Sequence, residues 1–122
     1  TIYSAGDAVL ANSRHEPFGL VGLEVMAAAG VAVTGSTGED YAQAYRNAIV
    51  LETDDARELA AGLRLLGQRP GFGAGLRGSG RRTARDYVWE RVIEQLIDRA
   101  EFAGTWPALP LPGGVQPPPA TR

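Results

Sequence analysis

The chain has 122 residues, 44% of them hydrophobic and 21% charged, a balance that supports a folded core and argues against disorder. It contains no cysteine, which excludes a disulfide framework, a thiolate nucleophile and a sulfur-ligated zinc site. The net charge of -2 argues against a basic nucleic-acid binder, and all twelve cations are arginine, so chemistry that needs a lysine must borrow it.

Thr1 to Gly6 carries no helix-start signal of its own. The apolar run Ala8-Val9-Leu10-Ala11 is predicted as a buried strand, although periodicity alone does not separate such a run from a piece of helix. Asn12, Ser13 and Glu16-Pro17 supply turn and helix-start chemistry, since proline is tolerated in a first helical turn. From Phe18 to Ala29 almost every residue is apolar, and a helix apolar on every side is a buried one. Gly30 stops it, Val31 to Thr34 reads as a second strand, and Gly35 to Gly38 as a loop. Glu39 to Asn47 is ambiguous and has the length of a short helix. Ala48 to Leu51 is the third strand, after which Asp54 or Asp55 caps a helix with a buried stripe of Leu59, Leu63 and Leu66.

Gln68 to Gly75, which contains Pro70, breaks that pattern. Residues 76–87 are weakly helical, because Gly78 and Gly80 each remove ~1 kcal/mol of propensity. The final helix is the most regular: Trp89, Val92, Ile93, Leu96, Ile97 and Ala100 recur at helical spacing opposite a charged face. Six of the eight prolines fall between Pro107 and Pro119. Residues 1–103 therefore read as part of one folded domain, and residues 104–122 as an extended or disordered tail.

Strand–helix alternation predicts an α/β fold, a partial Rossmann-like parallel sheet of about three strands with flanking helices. Three strands leave sheet edges uncovered. Either further strands precede them in the same protein, or two copies form a homodimer edge to edge. The longest uncharged apolar run, Val25 to Gly38, is too short and too rich in glycine to be a transmembrane segment. No cationic leader opens the chain, so the expected location is cytoplasmic.

Glu24 is the unusual residue, a carboxylate inside Leu20-Val21-Gly22-Leu23-Glu24-Val25-Met26. A buried unpaired charge costs several kcal/mol, so Glu24 must take up a proton or find donors, either an arginine or the hydroxyls of a ligand. Glu16 stands before the same helix; a helix over 18–24 would set Glu24 ~9 Å further along the axis. Between them the amides of Phe18, Gly19 and Leu20 lack helical partners, and with the positive end of the dipole they suit a phosphate. Carboxylate, anion seat and carboxylate in that order fit sugar hydroxyls, pyrophosphate and ribose hydroxyls.

Glu16-Pro17-Phe18-Gly19-Leu20-Val21-Gly22-Leu23-Glu24 resembles the two-glutamate signature of the retaining GT-B glycosyltransferases of glycosyltransferase family 4 (glycosyl transferases group 1). Asp7 to Ser13, Met26 to Thr34 and Tyr87 to Val92 are similar to the same family, so the likeness covers residues 3–100. It implies the last three strands of a carboxy-terminal, donor-binding Rossmann-like domain. It also implies a separate amino-terminal acceptor domain and upstream donor-domain strands as partners. The implied chemistry is transfer of a hexose from a nucleotide-diphosphate sugar in carbohydrate biosynthesis, with retained configuration, no cofactor and no essential metal. On the family pattern Glu16 is the catalytic candidate and contacts donor-sugar hydroxyls. The amides of Phe18, Gly19 and Leu20 hold sugar and phosphate, and Glu24 binds the ribose. The family's basic pair for the pyrophosphate has no counterpart here, and Thr37-Gly38-Glu39-Asp40-Tyr41 replaces a pair of adjacent glycines. The fragment alone is therefore expected to be inactive. A sugar-nucleotide epimerase and a non-catalytic nucleotide-sugar-binding module are the alternatives.

Other features have plainer readings. His15, the only histidine, lies one residue outside the motif and reads as a rim or surface residue. Gly73-Ala74-Gly75-Leu76-Arg77-Gly78 matches a dinucleotide fingerprint only in letters; no strand precedes it, and it reads as a flexible loop. Arg77, Arg81, Arg82 and Arg85 read as a solvated helix face, and Trp89 as a core anchor.

Overall fold

A computed structural model describes residues 2–13, 16, 18–38 and 40–105. His15, Pro17 and the Pro-rich stretch 106–122 lie outside the described residues. The chain forms α1 (Ile2–Ala5), β1 (Val9–Ala11), α2 (Leu20–Ala27), β2 (Ala32–Thr34), β3 (Ile49–Val50), α3 (Ala56–Gln68), α4 (Pro70–Ala84) and α5 (Trp89–Thr105), with a 3-10 turn at Arg85–Tyr87.

The three strands are parallel and adjacent in chain order, Val9 opposite Ala32 and Val33 opposite Ile49. Their alternation divides the core. Val9, Ala32, Ala48 and Val50 pack with Leu23, Val25 and Met26 of α2 and with Ala84 of α4. Val31, Val33, Ile49 and Leu51 pack with Leu59 and Leu66 of α3 and with Leu76 of α4. Period-two side chains on short β-branched runs are what a sheet covered on both faces requires.

Several elements differ from the sequence reading. Ile2–Ala5 is helical, although wholly without buried residues. The stretch before β3 is a chain of turns, not a helix. Tyr41 and Ala42 both donate to the Gly38 carbonyl, at 3.1 and 2.7 Å, and the Gln43 amide donates to Asn47 Oδ1 at 2.7 Å. Backbone turn bonds and the Asn47 side chain thus take the place of a helical ladder there. Of the two cap candidates it is Asp55 that accepts the Arg57 amide, at 2.9 Å. In α3 Gly62 is the one buried residue, beside Ile49; Leu59 and Leu66 are half-buried against the sheet, while Leu63 stays 43% exposed.

α4 begins fifteen residues before Arg85 at Pro70, so Gln68–Gly75 is mostly helix and the glycine fingerprint lies inside α4 instead of in a loop. Pro70 takes the first helical position, where its missing N–H costs nothing. Leu76, Gly80 and Ala84 form the buried stripe, and the two small residues let α4 lie against Met26 of α2. Packing here overrides weak propensity. Arg77 is not part of a solvated patch: it donates to the carbonyls of Gly6, Asp7 and Ala29, each at 3.2 Å.

The described residues fall into two units, one up to Trp89 and the other from Glu90 on. Trp89 is 77% exposed and does not anchor the core of the first. Taken by itself, α5 is amphipathic, with Val92, Ile93, Leu96 and Ile97 on its apolar stripe. Among the described residues no helix is long and apolar enough to cross a membrane.

Candidate functional site

All three parallel strands end on the same side, and α2 starts there, directly after β1 and its loop. Open parallel sheets bind ligands at this carboxyl edge. The helix is shorter than its sequence suggests, starting at Leu20, so Glu24 stands ~6 Å along the axis from the first helical residue.

Gly19 is the N-cap, in left-handed backbone at φ 75 and ψ 54, a conformation that favours glycine. It brings no side-chain oxygen. Gly19 thus leaves the first N–H donors of α2 without a side-chain cap from the N-cap position, with the positive end of the dipole behind them.

Glu24 is exposed, which corrects the expectation of a buried carboxylate. Leu20, Glu24 and Ala27 follow one another at i, i+4 and i+7 and form the single open face of α2, whereas Gly22, Leu23, Val25 and Met26 are buried. Its partner is not an arginine: the Tyr3 hydroxyl of α1 donates to Glu24 Oε2 at 3.1 Å. That bond and the negative charge of Glu24 raise the Tyr3 pKa, keeping the phenol protonated. Glu16 is exposed as well. Phe18 is half-buried, and its ring meets Tyr41 and Tyr87 at 5.4 and 5.6 Å.

The sequence reading missed Tyr41. Its side chain is buried, and its hydroxyl donates to the Gly19 carbonyl. Burial raises its pKa foremost, against a lowering by the Leu23 backbone N–H, and the charge of Glu16 adds to the rise. Tyr41 is in turn held by Asn47, which donates from Nδ2 to the Tyr41 carbonyl at 2.8 Å and to Thr83 Oγ1 at 2.9 Å. No local pattern signals this contact, although Gly19, Gly22 and Gly38 each leave room for Tyr41 or its loop. Among the described residues no three His, Cys, Asp or Glu side chains are grouped to hold a metal ion.

The site thus has an anion-attracting helix start, one carboxylate before it and another on its open face. No protein-family model and no curated protein matches the chain. Solved structures do. Sucrose-phosphate synthase from Thermosynechococcus elongatus is 25% identical with a TM-score of 0.70, over 85% of this chain and 27% of that one. The C-terminal domain of the glycosyl transferase group 1 family protein LpcC from Francisella tularensis is 23% identical with a TM-score of 0.65, over 70% of this chain and 45% of that one. Anabaena HepE in complex with UDP is 21% identical with a TM-score of 0.72, over 84% of this chain and 29% of that one. The fold is therefore the Rossmann-like α/β arrangement of GT-B glycosyltransferase C-terminal domains. The chain spans under half the length of each of these neighbours.

Proposed function

We propose that this chain is the donor-binding part of a retaining glycosyltransferase of family 4, one that transfers a hexose from a nucleotide-diphosphate sugar. The observation that carries the reading is the start of α2 at the carboxyl edge of the sheet, with no side-chain cap from Gly19 and with Glu24 on the exposed face one turn on. The amides of Phe18, Gly19 and Leu20 hold the diphosphate and sugar. Glu24, already oriented by Tyr3, accepts from the ribose hydroxyls. Glu16 accepts from hydroxyls of the transferred sugar and is the catalytic candidate. The shared fold with HepE, which has been solved with UDP and with UDP-glucose, supports a nucleotide sugar as the ligand class.

In the reaction the bond between the anomeric carbon and the diphosphate oxygen breaks, and a bond to the acceptor oxygen forms on the same face. The acceptor proton passes to the departing diphosphate. Helix amides offset part of the developing negative charge in place, without rearrangement. The remaining positive charge and the acceptor site come from outside this stretch, in an amino-terminal domain and in strands that pair with the outer edge of β1. No cofactor and no metal is needed on this reading.

The test is kinetic and uses the full-length protein. Glu16→Gln lowers kcat for sugar transfer at least 10-fold with donor affinity changed less than that. Glu24→Gln weakens donor binding about 10-fold, the loss of one charge-assisted hydrogen bond in a ligand site. Unaltered kcat in the first and unaltered affinity in the second overturn the assignment.

A further inference from the structure

We infer that Tyr41 is a positioning residue for the diphosphate of the donor, acting through the Gly19–Leu20 peptide; this rests on the function proposed above. Tyr41 lies 22 residues from Gly19 in the chain and is only 3% exposed, yet its hydroxyl reaches the Gly19 carbonyl. A trans peptide holds C=O and N–H in opposite directions within one plane. Tethering the Gly19 oxygen to a buried hydroxyl therefore holds the Leu20 N–H pointing the opposite way, away from that hydroxyl and out of the start of α2. A donated bond to the carbonyl also polarises the peptide and strengthens its N–H as a donor.

The surroundings are built around this hydroxyl. A Cβ on Gly22 would stand 2.5 Å from Tyr41 Oη, and one on Gly38 would stand 2.9 Å from the same oxygen. Gly38 also has φ 95 and starts the turn whose amides fix the Tyr41 backbone. Phe18 and Tyr87 hold the ring, and the Tyr87 hydroxyl donates to the Asp40 carbonyl at 2.8 Å. A hydroxyl gripped from this many sides has one direction in which to donate. Helix amides bind an anion best when their direction is set beforehand, since no ordering remains for the ligand to impose.

The experiment compares a nucleoside diphosphate with its nucleoside, because only the former has the group that the Leu20 amide meets. The full-length protein is titrated calorimetrically with UDP, GDP and ADP; the best-bound of these and its nucleoside are then titrated into Tyr41→Phe. The expected result is a diphosphate Kd raised about 10-fold and a nucleoside Kd unchanged within 2-fold. Gly22→Ala pushes a methyl against the same hydroxyl and gives the same selective loss, which decides the matter if Tyr41→Phe does not fold. An unchanged diphosphate Kd overturns the inference while the donor-site reading stands. So does an equal loss for both ligands, which marks a purely structural role. A parent protein that binds none of the three diphosphates overturns the function proposed above and this inference with it.

Discussion

Replacing Asn47 by alanine removes the joint between the site loop and α4. Asn47 is 3% exposed and uses both ends of its amide: Oδ1 accepts from the Gln43 amide at 2.7 Å, and Nδ2 donates to the Tyr41 carbonyl at 2.8 Å and to Thr83 Oγ1 at 2.9 Å. Three lost bonds at about 1 kcal/mol each set the scale. The cost is not uniform, because the Tyr41 carbonyl is buried and pays desolvation, whereas Gln43 is exposed and its amide can turn to water. The expected destabilisation of Asn47→Ala is about 2–4 kcal/mol. Thr83→Val loses one bond of the three and should cost about 1 kcal/mol. Equilibrium urea unfolding of the full-length protein and of both variants measures these differences through the transition midpoint. A loss below about 0.5 kcal/mol for Asn47→Ala, the level of an ordinary surface change, would refute the view that this side chain locks the loop.

Two glycines in α4 should respond to alanine with opposite sign. Gly75 has nothing within 4 Å of a built Cβ, so Gly75→Ala gains helix propensity and stabilises by about 0.5–1 kcal/mol. At Gly80 the new methyl would lie 3.0 Å from Met26 Cγ and 3.2 Å from the Asn47 carbonyl, so overpacking of about 1–3 kcal/mol outweighs that gain; thermal unfolding of the pair reads both signs. The Glu58 carboxylate accepts from the Glu52 amide, the Thr53 hydroxyl and the Thr53 amide, and these bonds lower its pKa below the ordinary 4.5. Its contribution is complete above pH 4.5, where the unfolded carboxyl is also ionised, and is lost as pH falls through the lower folded value. Stability measured against pH should therefore fall less steeply in acid for Glu58→Gln than for the parent.

The strands were legible because Ala8–Ala11, Val31–Thr34 and Ala48–Leu51 are short apolar runs between turn residues, and each holds a strand or most of one. A cap at Asp54 or Asp55 was legible for local reasons too, and Asp55 fills it, whereas the start of α2 falls two residues later than the Phe18 of the apolar run. What escaped was decided by distant contacts. The apolar character of residues 18–29 hid an open stripe, since Leu20 and Ala27 flank Glu24 on it and neither is polar. α4 reads as glycine-broken, yet its small residues at Gly80 and Ala84 are what let it pack. Tyr41 and Tyr3 lie 22 and 21 residues from the groups they bond, beyond the reach of any local pattern. α5 shows the converse: its period is regular, while the burial expected of Trp89 is absent.

Hydrogen–deuterium exchange tests the donor site most directly. The amides of residues 18–24 in the full-length protein are followed with and without a saturating nucleotide-diphosphate sugar of uridine, guanosine or adenosine. Binding across the start of α2 predicts that at least one donor slows exchange at Gly19, Leu20 and Val21, with α3 unaffected. Unprotected amides in this segment, under conditions where calorimetry records the donor as bound, would contradict the account.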